Sequence, residues 1–182
     1  GHGPPAVCGE RRREALQRPA LTSFLHERNL ANGLVADRSE PGSPASIASV
    51  GFALTVYPVG VNRGWMTRAD AIERTLAVLR FFRSSAQGTA PEATGHKGFY
   101  YHFLDMTTGR RAGQCELSTV DTGFLLAAIL SAGLYFHQDG DGAQALRPLA
   151  APRYRPPRWP WAGPRVARLP PGCAPQCAPP HC

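Results

Sequence analysis

The sequence predicts an all-α domain that carries one β-hairpin, and three observations lead to this fold class. Capping boxes at 67–70 and 118–121 each open a long apolar segment, which is a signature of a helix start. Apolar residues recur at helical spacing through 69–82. Residues 99–106 alternate instead with the period of two that marks a strand, and Gly109 follows in a turn sequence.

The N-terminal part of the chain changes character twice. Residues 1–18 are rich in Gly, Pro and Arg, and we expect them to be disordered. Residues 21–30 show a helical apolar spacing, and the pair Asn32-Gly33 ends it. A loop over 33–44 is predicted to follow.

The next predicted helix is apolar on nearly every side. Ser43 suits the N-cap and Pro44 the first helical position, so the helix should begin there. It should stop near Pro58, because proline has no N–H to donate inside a helix. An apolar surface on every side is typical of a helix buried between neighbours.

The capping box at 67–70 opens an amphipathic helix. Its apolar residues at 69, 72, 76, 79 and 82 form one stripe, with the charged residues off it. The stripe predicts a helix that faces the core.

The second half of the domain is predicted to be a hairpin followed by a helix. Residues 99–106 form the first strand, 107–110 the turn and 111–117 the partner strand. The helix over 119–136 is apolar throughout.

The C-terminal part has the composition of a disordered tail. From Pro148 onward the chain holds eleven of its eighteen prolines and no acidic residue. The predicted organisation is therefore a disordered segment over 1–18, one domain over 19–147 and a low-complexity tail over 148–182.

The net charge of +7 does not indicate a nucleic-acid-binding face. Residues 19–146 contain ten Lys or Arg and eleven Asp or Glu, so the excess of arginine lies near the two ends. The longest apolar run, 123–136, is shorter than a membrane-spanning helix and predicts a buried helix. We expect no nucleic-acid and no membrane partner.

The five cysteines do not form the pattern of a disulfide framework, since their number is odd. Cys173, Cys177, His181 and Cys182 loosely imitate a zinc site, but Pro and Ala fill the spaces between them. We expect no metal and no cofactor.

Three carboxylates are candidates for chemistry: Asp105, Glu116 and Asp121. The hairpin would bring Asp105 near Glu116, and the helix start would hold Asp121 close to Glu116. Hydrolysis of a glycosidic bond needs one protonated carboxyl and one ionised carboxylate across the sugar. Burial among the neighbouring aromatic residues could raise a carboxyl pKa enough for the acid role.

Structural roles also explain most of these residues. Asp121 occupies the last position of a capping box, and Asp105 precedes a turn that it could stabilise. His102 in an aromatic strand can be a structural histidine. The adjacent charges Asp37 and Arg38 can form a solvated ion pair or a polar clamp for substrate hydroxyls. Glu116 has the weakest structural explanation.

Five segments carry a resemblance to a known family: NGLVADR at 32–38, PASIASVGF at 44–52, GVNRGW at 60–65, GFYYHFLD at 98–105 and CELSTVDT at 115–122. Occurring in this order over about residues 20–140, they resemble the bacterial glycoamylase-like (glucoamylase-like) family, which includes endo-β-1,2-glucanases.

The resemblance implies an (α/α)6 toroid of paired antiparallel helices with a sugar cleft at one end. It also implies acid/base hydrolysis of β-linked glucan, with inversion, and hence an oligo- or polysaccharide substrate. Glu116 is the leading catalytic candidate on this basis, supported by Asp121 and Asp105. The residues implied to line the cleft are Asp37, Arg38, Arg63, Trp65, Tyr101 and His102.

The chain also departs from the family pattern. A complete toroid has twelve helices, whereas this sequence predicts four or five, so we expect an N-terminal portion that lacks the partner carboxylate. Such a portion should be weakly active or inactive alone. The resemblance implies a periplasmic or secreted protein. The alternative function is a non-catalytic carbohydrate-binding or interaction module.

Overall fold

The structure, a computed structural model, describes residues 5–136 and Pro157. Apart from Pro157, the predicted tail and its zinc-like cluster lie outside the described residues. Within 5–136 the chain forms four helices: α1 Pro5–His26, α2 Ile47–Asn62, α3 Arg68–Ser84 and α4 Thr119–Phe136. Five short strands lie between them: β1 Ala45–Ser46, β2 Gly95–His96, β3 Phe99–Tyr101, β4 Phe103–Leu104 and β5 Leu117–Ser118.

Helix α1 differs from the expectation of disorder over 1–18. It starts at Pro5, where the missing N–H of proline costs nothing, and continues past Pro19. Two contacts with α2 hold it: Glu10 forms an ion pair with Arg63, and Leu21 is buried against Gly60. The sequence between its prolines is rich in good helix formers, which supports the same result.

Helix α2 begins later and ends later than predicted. Residues 45 and 46 pair with β4, so the helix starts at Ile47, whose N–H donates to the carbonyl of His102 at 3.1 Å. Ser46 takes the N-cap position without a side-chain hydrogen bond. Pro58 lies inside the helix and does not end it. A proline there costs about 3 kcal/mol, an amount that burial of one or two large apolar side chains offsets.

Helices α2 and α4 lie side by side and run parallel. The rings of Phe52 and Phe124 have centroids 4.7 Å apart, and the Tyr135 hydroxyl donates to Asn62 Oδ1 at 2.6 Å. The offset in residue number is nearly the same at both ends, which only a parallel pair allows. The N-termini of both helices therefore lie at the same end of the domain.

Helix α3 starts at the predicted capping box. The amide of Asp70 donates to Thr67 Oγ1 at 3.1 Å, and the Thr67 hydroxyl donates back to Asp70 Oδ2 at 2.7 Å. The buried face is rotated from the predicted stripe, since Ala69 is exposed and Ala71 is buried. The buried residues of this helix are Ala71, Thr75, Leu76, Val78, Leu79 and Phe82.

The predicted hairpin is present but is divided between two small sheets. Strand β3 lies between β2 and β5, with Tyr101 opposite Leu117. Strand β4 instead pairs with β1, with Leu104 opposite Ala45. The predicted single strand over 99–106 is therefore wrong at His102, where the chain leaves one sheet and enters the other.

The core lies between α2, α3, α4 and the sheets. Helix α4 is long and apolar enough to cross a membrane by length and composition, but core helices pass the same test, and one face of α4 packs on α2. The largest fully buried side chains among the described residues are Tyr57, Phe99, Phe136, Leu34, Ile47, Leu54, Leu79, Leu104, Leu125, Ile129 and Val35.

Candidate active site

The candidate site is built at the corner between β3 and β4. Its backbone is fixed on both sides of His102: the His102 amide donates to the carbonyl of Glu116 at 2.9 Å, and its carbonyl accepts from Ile47. Tyr100 anchors the strand that leads into the corner, donating its amide to Thr122 Oγ1 at 2.9 Å and its hydroxyl to the carbonyl of Phe82. Burial raises the pKa of Tyr100 to about 12, so this hydroxyl stays protonated.

His102 lies between two of the three candidate carboxylates. Its Nδ1 is 2.7 Å from Glu116 Oε1, and its Nε2 is 3.4 Å from Asp121 Oδ2. The three side chains are 20–29% exposed, so the cluster is half-buried but reachable from solvent. A cluster of this kind was expected for Glu116 and Asp121, and the histidine between them is what the structure adds.

Asp121 also has the structural role that its position predicted. Its carboxylate accepts the Ser118 hydroxyl at 2.8 Å, and its amide donates to the same Ser118 oxygen at 3.1 Å. This capping box places the Asp121 side chain in the first turn of α4, where it satisfies the helix start. Capping and the contact with His102 use the same Asp121 oxygen.

Glu116 is held as a carboxylate. Burial raises its pKa, but hydrogen bonds from its own backbone amide and from His102, with the charges of His102 and Arg111, outweigh burial and lower the pKa below the ordinary value. The expectation that burial would raise a carboxyl pKa for the acid role is therefore wrong for Glu116. Its ionised form suits a base or a charge-stabilising group.

Arg111 and Phe103 complete the surroundings; the sequence indicated Phe103 as an apolar neighbour of the carboxylates but gave no role to Arg111. The Arg111 guanidinium lies 4.4 Å from the centre of the Tyr101 ring, and its charge helps to lower the pKa of Glu116. The Phe103 ring stacks on the imidazole of His102 at 4.1 Å with an 8° angle between the planes. The predicted pairing of residues 111–117 with residues 99–106 indicates that Arg111 lies near this strand. It does not indicate the direction in which the Arg111 side chain points.

Asp105 lies in the turn that follows β4. One of its oxygens accepts hydrogen bonds from the amides of Thr107 and Thr108 and from the Thr108 hydroxyl. The Thr108 bonds are the main reason why its pKa is lowered. Among the contacts described for residues 5–136, none joins Asp105 to Glu116, so the structural role predicted for Asp105 is the one observed.

Asp37 and Arg38 form an ion pair in the loop before β1. Arg38 Nε is 3.4 Å from Asp37 Oδ2, and the Arg38 side chain is 71% exposed. Ala36 forms a β-bridge with Ala45, which places this pair beside the sheet that contains β4. A cavity of about 520 Å³ opens on the same side, lined by Gly42, Ser43, Pro44, Phe103, Asp105, Met106, Thr107, Ala112 and Gly113.

Arg63 and Trp65 lie at the other end of the domain. Both follow the C-terminus of α2, whereas the N-terminus of α2 meets His102. Sixteen residues of helix span about 24 Å, too far for these side chains to contact Glu116 in the described part of the chain. Arg63 is instead paired with Glu10.

The cluster is not arranged as a metal site. Glu116 and Asp121 contact opposite nitrogens of one imidazole, so their oxygens approach the ring instead of converging on a shared point. Within the described residues, no group of three His, Cys, Asp or Glu side chains could hold a metal ion.

No family model matches the chain. The exo-β-1,2-glucooligosaccharide sophorohydrolase (non-reducing end) of Parabacteroides distasonis is 27% identical over 137 residues, which cover 71% of this chain and 18% of that protein. The similarity is thus broad in this chain and confined to a small part of the relative.

Solved structures share the fold. A glucoamylase-like protein from Bacteroides uniformis has a TM-score of 0.68 at 24% identity, covering 81% of this chain and 35% of its own. The endo-β-1,2-glucanase of Chitinophaga pinensis, solved with sophorotriose and glucose, has a TM-score of 0.64 at 17% identity, covering 82% and 37%. The chain therefore spans about a third of these structures and about a fifth of the curated relative. Sequence and fold together confirm the resemblance: the chain is similar to glucoamylase-like proteins and to β-1,2-glucanases.

Proposed function

We propose that this chain supplies one wall of the active site of a glycoside hydrolase that cleaves β-linked glucan. The observation that carries the proposal is the Glu116–His102–Asp121 cluster at the shared N-terminal end of α2 and α4. Relatives that cleave β-1,2-linked glucans support the substrate class. An ionised carboxylate beside an aromatic surface is suited to a sugar, whose apolar face can stack on a ring.

In this proposal Glu116 acts as the base. An inverting hydrolase uses one carboxylate to activate water and one protonated carboxyl to protonate the leaving oxygen. Glu116 is ionised, half-buried and within hydrogen-bond reach of His102, so it suits the first task. His102 orients Glu116, and Asp121 holds His102 from the other side. The proton donor comes from a part of the fold outside residues 5–136.

We further propose that the described residues form part of an (α/α)6 toroid. The parallel pair α2 and α4 would belong to the inner ring, with α1 and α3 outside, because α2 and α4 are the most apolar of the four helices. Large apolar side chains remain exposed on the inner pair, and further helices would cover them. They are Phe52, Val120, Phe124, Leu130 and Leu134.

Incubation of the chain with linear β-1,2-glucan, followed by an assay for new reducing ends, tests these proposals. We expect weak or no turnover by the chain alone, and any turnover should be lost in Glu116→Gln. Glu92→Gln is the matched control, because Glu92 is exposed in the loop before β2. Robust turnover would contradict the proposal that the site is incomplete. Equal loss in both variants, or no loss in Glu116→Gln, would contradict the role of Glu116.

A non-catalytic carbohydrate-binding module is the second candidate. The cavity of about 520 Å³ beside Phe103 favours it, because an aromatic side chain lines one wall and Asp105 lines the edge. Saturable binding of sophorotriose without cleavage, measured by calorimetry, would support this function. Binding should weaken in Phe103→Ala and persist in Trp65→Phe, since Trp65 lies at the far end of α2. Loss of sophorotriose binding in Trp65→Phe would indicate that the sugar binds near Trp65 and not in the cavity beside Phe103.

A further inference from the structure

A second cavity lies on the opposite side of α3 from the core. It has a volume of about 530 Å³ and lies between the residues after α1 and the outer face of α3. We name it the arginine pocket. Its lining residues are Arg28, Leu30, Ala31, Asn32, Asp70, Glu73, Arg74, Ala77, Arg80, Phe81 and Ser84.

Two guanidinium groups in this pocket lack partners. The Nε of Arg28 and the Nε and Nη1 of Arg74 are buried, yet none has a hydrogen-bond partner. Neither side chain takes part in an ion pair or hydrogen bond among residues 5–136. A buried donor without an acceptor is costly, and a charged donor more so.

The two cations also repel each other. Burial and the neighbouring charge of Arg74 both lower the pKa of Arg28, and Tyr57, Glu73 and Asp70 oppose them only in part. The Asp70 carboxylate is occupied by the Thr67 hydroxyl at the helix cap. With Arg80 on the rim, three arginines face two carboxylates, which leaves an excess of positive charge.

Nearby groups do not supply the missing acceptor. Burial raises the pKa of Tyr57 despite the charges of Arg28 and Arg74, so its hydroxyl carries no charge that could neutralise them, and within residues 5–136 it forms no hydrogen bond with either guanidinium. The frame around the pocket is held in place: Arg28 pairs with Val35 in a β-bridge, and Asn32 Nδ2 donates to the carbonyl of Met106 at 3.0 Å.

We propose that the arginine pocket binds an oxyanion, a phosphate or carboxylate group, through the guanidinium groups of Arg28 and Arg74. A guanidinium presents a planar fork of donors that matches either group, and a bound anion would supply acceptors for all three unpartnered nitrogens. This site is separate from the glucan cleft and does not depend on its assignment.

Titration calorimetry of the full chain with inorganic phosphate, at low ionic strength, tests this proposal, and acetate serves as the carboxylate probe. We expect saturable binding of one anion per chain. Arg74→Gln and Arg28→Gln should each weaken binding about tenfold or more, because a charge-assisted hydrogen bond contributes about that factor. Arg38→Gln is the control and should bind as the parent chain does, since Arg38 is exposed and paired with Asp37.

Thermal unfolding gives an independent readout. Phosphate or acetate should raise the melting temperature of the parent chain and of Arg38→Gln, and should not raise that of Arg74→Gln. Without added anion, Arg74→Gln should melt at or above the parent temperature, because the repulsion between two cations is removed. Absence of saturable binding of both probes, or equal binding by Arg74→Gln, would overturn the proposal. Preference for phosphate or for acetate distinguishes the two ligand sources.

Discussion

Replacing His102 with phenylalanine tests the candidate site without requiring an active chain. A phenyl ring can keep the stacking on Phe103 but cannot bond to Glu116, whose oxygen lies 2.7 Å from Nδ1. A hydrogen bond to a charged group contributes about 1.5–3 kcal/mol, whereas the 3.4 Å contact with Asp121 is too long to add much. We therefore expect His102→Phe to lower the free energy of unfolding by about 2 kcal/mol and the melting temperature by about 4–8 °C.

The pH dependence of this difference follows from the shifted pKa of Glu116. The fold lowers that pKa below its ordinary value of 4.5, so the stabilisation from ionised Glu116 is fully present above that value. It is lost as the pH falls through the folded-state pKa. The destabilisation caused by His102→Phe should therefore shrink in acid and be largest near neutral pH.

A double-mutant cycle with Glu116→Gln, measured by urea unfolding, identifies the source of the effect. Because the two side chains share one bond, the effects should not be additive, and His102→Phe should cost less in the Glu116→Gln background. His26→Phe is the control, since His26 is exposed at the end of α1. Additive effects within about 0.5 kcal/mol would refute the inference that this bond holds the site together.

Three further changes test the frame around the site. Gly51→Val should lower the free energy of unfolding by about 1–3 kcal/mol, measured in urea, because its Cβ would lie 2.7 Å from Phe124 Cδ1. An unchanged urea midpoint would contradict the close approach of α2 and α4. Ser118→Ala should cost about 1 kcal/mol through loss of the α4 cap, and an effect below a few tenths would show that the cap contributes little. Asp105→Asn should weaken the turn at Thr108 and lower the melting temperature while leaving sugar cleavage intact, and selective loss of cleavage would return Asp105 to the catalytic site.

Features that depend on neighbours along the chain were predictable. The capping boxes at 67–70 and 118–121 are confirmed, because each needs only residues three positions apart. The turn that holds Asp105 and the helix over 119–136 are confirmed for the same reason. The closeness of Glu116 and Asp121 also follows from local spacing.

Features that depend on contacts between distant segments of the chain were not predictable from the sequence. The start of α2 moved from Ser43 to Ile47 because residues 45 and 46 pair with β4, more than fifty positions away. The burial of α2 along α4 lets the helix pass Pro58, an outcome that local propensity opposes. Helical spacing placed the buried stripe of α3 only approximately, since the neighbours of α3 select the face that is buried.

The sequence by itself determined that this protein has mostly helical architecture with a glycoamylase-like pattern, and that Glu116 is the carboxylate with the weakest structural explanation. Local hydrogen bonds and apolar periodicity encode the helices and the turn, whereas the glycoamylase-like pattern is a resemblance carried by five segments of the sequence. Only the tertiary structure decided that the chain turns between two sheets at His102, that Arg111 lies over Tyr101, and that Arg63 lies at the far end of α2. Each of these features depends on which distant segments pack together. The pKa of Glu116 follows from the same packing, since the fold brings His102 and Arg111 close to its carboxylate.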